Sequence, residues 1–257
     1  MQQIVELVVE GKKLRGMYHC PEAAPGKIYP TVILYHGLFG SKLEPHRIFL
    51  KLSRQLEAKG IATLRFDFSG SGESDGDSEE MTFFSELKEA GAILDYAASL
   101  PATDTNRIGV LGYSLGGAVA AVLAGNRNRD IKALVLWSPG TDSSIREYLR
   151  PILESSVIDS KGSFDLFGDW LNAGFYEEIG RWDIIREVQK FENQVLIVHG
   201  SYDQTIPVET AFKYYQALPG RSRLKIIDGA DHTFNRYDWG TGILKQTTEF
   251  LTEILAP

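Results

Sequence analysis

Apolar and polar residues alternate over residues 4–9 and again over 14–18, on either side of Glu10-Gly11-Lys12. A period of two with a glycine-bearing break predicts a β-hairpin, so the sheet starts antiparallel. Residues 21–30 form a Pro- and Gly-containing loop, and then the pattern changes. Thr31-Val32-Ile33-Leu34-Tyr35 is apolar and β-branched, which suits a strand buried on both faces. Comparable runs at 61–68, 108–112, 133–137, 194–199 and 223–227 predict further strands. Helical spacing fills the intervals. Residues 46–59 carry Ile48, Phe49, Leu52 and Leu56 on one face, closed by Gly60, and residues 83–99 carry Phe84, Leu87, Ile93, Leu94 and Ala97. The small-residue run 118–124, residues 208–218 and residues 243–255 read the same way. Strands alternating with helices predict an α/β fold, a mostly parallel sheet covered on both faces.

The rhythm breaks once. Residues 139–192 contain no short strand–helix unit and are rich in aromatics, among them Phe164, Phe167, Trp170, Phe175, Tyr176 and Trp182. So long an interruption predicts an inserted cap or lid subdomain over 139–192, with 1–138 and 193–257 forming the core. Composition then narrows the field. At 257 residues, 43% hydrophobic and 24% charged, the chain suits one globular domain carrying an insertion. A net charge of −7 argues against nucleic acid and gives no reason to expect an anionic membrane as partner. One cysteine, Cys20, allows neither an intrachain disulfide nor a thiolate metal cluster. With no basic leader and no bilayer-spanning apolar run, the expected location is cytoplasmic.

The stretch richest in chemistry is Gly112-Tyr113-Ser114-Leu115-Gly116, between an apolar strand and a small-residue helix. A Gly-x-Ser-x-Gly on a strand-to-helix turn is a nucleophile elbow: the strained turn pushes the hydroxyl outward, and the glycines let strand and helix approach. A serine needs a base to take its proton, and that base is usually a histidine oriented by a carboxylate. Of five histidines, His19 has no obvious partner and His46 opens a helix in solvent. His36 and His199 follow buried strands and shape loops. His232, in Gly229-Ala230-Asp231-His232, follows the last strand and is the expected base. Asp203, in His199-Gly200-Ser201-Tyr202-Asp203, is the expected acid, with Asp228 and Asp231 as rivals too near His232 in sequence. The amides of Leu38 and Leu115 are the expected oxyanion donors.

These motifs, in this order, resemble the α/β-hydrolase superfamily from end to end. More narrowly, the chain resembles bacterial feruloyl (cinnamoyl) esterases through Leu64-Arg65-Phe66-Asp67-Phe68-Ser69-Gly70-Ser71-Gly72-Glu73-Ser74-Asp75-Gly76, Met81-Thr82 and Ala173-Gly174-Phe175-Tyr176. The resemblance implies an inserted subdomain that covers the serine and holds a phenolic ring, with Tyr176 contacting the aromatic acyl group. The remainder of the insertion does not match, and no counterpart of the family's phenol-binding acid can be placed.

Other signals carry less. Residues 70–76 lack G-x-G-x-x-G spacing and read as a packed loop beside the site. Asp75, Asp77, Glu79 and Glu80 lack the repeated ligands of a calcium loop. The expectation is therefore a serine carboxylic ester hydrolase, cofactor- and metal-independent, acting on a small-molecule ester of hydroxycinnamate type. A short-chain carboxylesterase, a thioesterase, an acyl transferase or a peptidase would use the same triad, and a non-catalytic receptor is the remote alternative. A homodimer is compatible with the sequence, which is silent on oligomeric state.

Overall fold

The computed structural model describes residues 1–21 and 26–255. Part of the loop expected at 21–30, residues 22–25, lies outside them. Strands β1 (Gln2–Val9) and β2 (Lys12–His19) form the expected antiparallel hairpin, with Val9 opposite Lys12. Its turn has positive φ at Glu10 and Gly11, the backbone that a two-residue hairpin turn requires. β2 pairs antiparallel with β4 (Ala62–Phe66). From β4 onward the pairing is parallel, through β3 (Tyr29–Tyr35), β5 (Thr103–Tyr113), β6 (Ala133–Trp137), β9 (Gln194–Gly200) and β10 (Ser222–Ile227). Among the described residues, these eight strands form one sheet in the order β1-β2-β4-β3-β5-β6-β9-β10. The fold is the α/β-hydrolase fold.

The central strands are buried on both sides, which is why their sequences do not alternate. Val32 and Leu34 of β3 face one apolar cluster with α1 (Ile48–Glu57) and α8 (Tyr237–Ile254). Ile33 and Tyr35 face a second, with α2 (Phe83–Ser99), α3 (Leu115–Asn126) and α7 (Glu209–Ala217). Between β6 and β9 the chain forms α4 (Asp142–Ser155), a hairpin of β7 (Ser163–Leu166) and β8 (Asp169–Asn172), then α5 (Ala173–Ile179) and α6 (Ile184–Val188). Phe164, Leu171 and Phe175 bury their rings and branches in the second cluster. α6 returns onto α3 so closely that a Cβ on Gly125 would sit 2.0 Å from the Glu187 carbonyl oxygen. No helix among the described residues is long and apolar enough to cross a membrane.

Three elements depart from the pattern. α1 begins at Ile48 rather than 46, because Glu44, His46 and Arg47 all have positive φ and Pro45–Arg47 forms a 3-10 turn. On α2, Phe84 is half exposed, while Glu86 and Glu89 are buried; Glu89 is turned inward by the Ser69 amide, which donates to it over 2.9 Å. α8 starts at Tyr237, six residues before its apolar run.

Candidate active site

Ser114 caps α3 with φ 55° and ψ −117°, a backbone that a non-glycine residue rarely adopts. The neighbouring glycines make it possible. A Cβ on Gly112 would lie 2.1 Å from the Gly116 carbonyl oxygen, and one on Gly116 would lie 2.3 Å from that of His36. The Ser114 amide donates to the Trp137 carbonyl over 2.9 Å, fixing the turn to the end of β6.

The loops after β9 and β10 bring the other two expected residues to this serine. His232 Nε2 is 2.9 Å from Ser114 Oγ, and His232 Nδ1 is 2.7 Å from Asp203 Oδ2. Asp203 is itself anchored: its Oδ1 accepts from the amides of Thr205 (3.0 Å) and Ile206 (2.9 Å). His199 Nε2 lies 3.1 Å from Asp203 Oδ2 and 2.9 Å from the Ile206 carbonyl. Burial pushes the Asp203 carboxyl up, but hydrogen bonds from His199 and His232, with their charges, outweigh it and hold the group well below the usual carboxylate range. The Tyr113 ring lies 5.3 Å from that of His232, and its hydroxyl donates to the His232 carbonyl over 3.1 Å. Of the rivals to Asp203, Asp231 accepts from Asn235 and Asp228 from the Ser201 hydroxyl.

The loop after β3 closes the other side. His36 is fully buried; its Nδ1 is 2.8 Å from the Gly37 carbonyl and its Nε2 accepts from the Phe68 amide over 2.9 Å. Burial lowers its pKa, so the neutral Nδ1–H form fits both contacts. A Cβ on Gly37 would come within 3.1 Å of Ser114 Cβ, so this loop packs against the serine, and Leu38 lines the same cavity as Ser114. Among the described residues, neither the Leu38 nor the Leu115 amide donates to a group of the chain. Gly37 N donates to Glu44 Oε1 over 2.7 Å, a contact to a carboxyl with no counterpart in the expected site. Outside that cavity, His46 Nε2 is 2.6 Å from Asn235 Oδ1, joining the loops after β3 and β10.

Ser114 opens into a cavity of about 560 Å³, a size that suits a small-molecule ligand. Leu38, Phe39, Glu44, Tyr113, Leu115 and His232 line one side, and Ile145, Tyr148, Leu149, Leu166 and Phe167, from the segment between β6 and β9, line the other. Gly72 of the packed 69–77 loop also reaches it. Tyr176 does not. Its ring stacks under the Arg146 guanidinium at 4.4 Å, and its hydroxyl accepts from Arg150 Nε over 3.3 Å. The aromatics of the cavity wall are Phe39, Tyr113, Tyr148 and Phe167. Phe167 sits at the β7–β8 turn with positive φ, 79% exposed. Only an exposed aromatic at a hairpin tip, rather than any spacing, could have marked it.

Residues 30–159 match the alpha/beta hydrolase fold family, and the chain belongs to that family. Over 213 residues it is 25% identical to the human (Homo sapiens) mitochondrial palmitoyl-protein thioesterase ABHD10, covering 79% of this chain and 62% of that protein. Over 114 residues it is 32% identical to the quorum-quenching protein AidA of Acinetobacter baumannii (strain MDR-ZJ06), covering 44% and 36%. The chain thus spans less than two thirds of the length of these relatives. Among solved structures, Est1E from Butyrivibrio proteoclasticus, determined with ferulic acid bound, superposes with a TM-score of 0.84 at 27% identity, covering 98% of this chain and 100% of that one.

Proposed function

We propose that this chain is a serine carboxylic ester hydrolase that acts through an acyl-enzyme on hydroxycinnamate (feruloyl-type) esters. The observation that carries the reading is the hydrogen-bonded line Ser114–His232–Asp203 at the edge of a cavity walled by aromatic residues. Ser114 Oγ attacks the ester carbonyl as His232 Nε2 takes its proton. Asp203 stabilises the imidazolium, and the Leu38 and Leu115 amides receive the oxyanion. His232 then returns the proton to the leaving alkoxide. Water, deprotonated by the same imidazole, hydrolyses the acyl-enzyme. No step requires a cofactor or a metal. Residues 139–192 act as the lid, and the aromatic contact expected of Tyr176 falls instead to Tyr148 and Phe167, which line the cavity. The ferulic acid held by Est1E supports the choice of acyl group.

The test is kcat/KM for methyl ferulate against p-nitrophenyl butyrate and a palmitoyl thioester, with Ser114→Ala as control. Ferulate turnover that exceeds the others and vanishes in Ser114→Ala supports the full reading. Preference for butyrate or the thioester retains the triad and removes the feruloyl assignment. Activity that survives Ser114→Ala overturns the triad.

A further inference from the structure

We propose that Glu44 is a positioning residue of the hydrolytic site: its carboxyl, inside the loop that leaves β3, fixes the Gly37–Leu38 backbone that faces Ser114. This inference rests on the hydrolase reading above. It is carried by four observations. Glu44 is 7% exposed, and its Oε1 accepts the Gly37 amide over 2.7 Å. Oε1 fills space that only a glycine could leave, since a Cβ on Gly40 would sit 2.4 Å from it. Gly40 N in turn donates to the Gly37 carbonyl over 2.9 Å, so the carboxyl and the loop backbone lock one another. Finally, Glu44 has φ 56° and ψ 163°, a backbone region otherwise nearly confined to glycine. Such strain persists only where the surroundings over-determine it.

The same carboxyl lines the cavity beside Leu38 and Ser114. Among the described residues its Oε2 hydrogen-bonds no group of the chain. Its neighbours supply no positive charge. On its own loop Lys42 is paired with Asp67 and Glu73, His46 reaches Asn235, and Arg47 stands exposed. Tyr113 of β5 lines the same cavity, and the charges of Glu44, Asp203 and Asp231 all act on its phenol. Burial accordingly pushes the Glu44 carboxyl up to about 8, against the single backbone hydrogen bond that favours ionisation. Below that pH the group holds the loop as a neutral acid, accepting through its carbonyl-type oxygen. Above it, a buried negative charge stands behind the amides that must receive an oxyanion, and the transition state loses stabilisation.

The experiment is the pH dependence of kcat and KM for p-nitrophenyl butyrate from pH 5.5 to 10, for the wild type, Glu44→Gln, Glu44→Ala and Ser114→Ala, with melting curves at each pH. In the wild type kcat should decline on the alkaline side with a midpoint near 8. Glu44→Gln, which keeps an acceptor and cannot ionise, should lose that decline and recover most of the kcat lost in Glu44→Ala. Glu44→Ala should lower kcat roughly 10- to 100-fold with a far smaller change in KM. An alkaline decline that persists in Glu44→Gln overturns the proposal, as does a Glu44→Ala variant that melts earlier but turns over normally. If Glu44→Ala does not fold, the Glu44→Gln profile decides alone. Wild-type inactivity, or activity that survives Ser114→Ala, overturns the hydrolase reading and this proposal together; a Ser114-dependent enzyme with an unchanged Glu44→Gln profile overturns this proposal only.

Discussion

His199 and Asp203 meet with both side chains closed to solvent, Nε2 3.1 Å from the same Oδ2 that His232 Nδ1 reaches at 2.7 Å. One carboxylate oxygen thus sits between two imidazoles, one buried and structural, the other facing the serine. His199→Phe leaves Asp203 Oδ2 and the Ile206 carbonyl each short of a neighbour. The expected result is a loss of about 1–3 kcal/mol in denaturant unfolding, together with a lower kcat. Full activity at unchanged stability would show that the acid is oriented without His199.

Asp203 is held ionised by those contacts, below its ordinary value of 3.8. A depressed acid stabilises the fold above its unfolded pKa and loses that contribution as pH falls through the folded one. Asp203→Asn should therefore be less stable than the wild type at pH 7, with the gap narrowing below about pH 4. Its kcat for an ester should fall by about 10⁴-fold, because the amide cannot hold the productive imidazole tautomer. Melting curves at pH 7 and pH 3, with kcat at pH 7, check both parts.

Glu44 has the opposite sign. Its folded pKa is raised from 4.5 to about 8, so its contribution to stability is full below pH 4.5 and is lost as pH climbs to about 8. Glu44→Gln should gain thermal stability on the wild type steadily across that window and hold a constant advantage above it. A difference in Tm that does not change with pH would contradict a buried neutral acid.

Gly116→Ala tests the elbow itself. Its Cβ would stand 2.3 Å and 2.4 Å from the carbonyl oxygens of His36 and Tyr35, buried backbone at the end of β3 that cannot yield. A loss of roughly 2–4 kcal/mol on unfolding is expected, with activity falling alongside. A fully stable variant would mean that strand and helix approach less closely.

Phe167→Ala probes the cavity wall. The side chain is 79% exposed, so Tm should move by no more than about 2 °C. The KM for methyl ferulate should rise roughly tenfold, equivalent to about 1.4 kcal/mol of lost aromatic contact. An unchanged KM would remove Phe167 from the acyl site.

Much of this was legible because it depends on local patterning. The elbow declares itself through Gly112 and Gly116, whose missing side chains are a local steric demand. His232 and Asp203 stand in short loops after strands that hydrophobic runs already locate. The departures arise where contacts reach far along the chain. His19 lacks a visible partner in sequence, yet Arg65, 46 residues on, reaches its Nε2 over 2.9 Å. Phe84 and Glu89 share one helix, and apolar spacing cannot foresee that the Ser69 loop draws the carboxylate inward. Glu44 reads as an ordinary polar residue before a proline, since its backbone strain and burial come from tertiary packing. Tyr176 was marked by its neighbours in sequence, whereas the cavity selects by position on α4 and the β7–β8 turn.

The 2.6 Å contact between His46 and Asn235 has a reach beyond its own two side chains. One of its loops bears the Leu38 amide and the other bears His232, so under the proposed mechanism negative and positive charge develop on the two loops. A hydrogen bond outside the cavity thus ties together the two loops that carry those groups. Polar substitutions far from the serine hydroxyl could thereby retune how much charge separation the cleft tolerates, while leaving every reacting group in place.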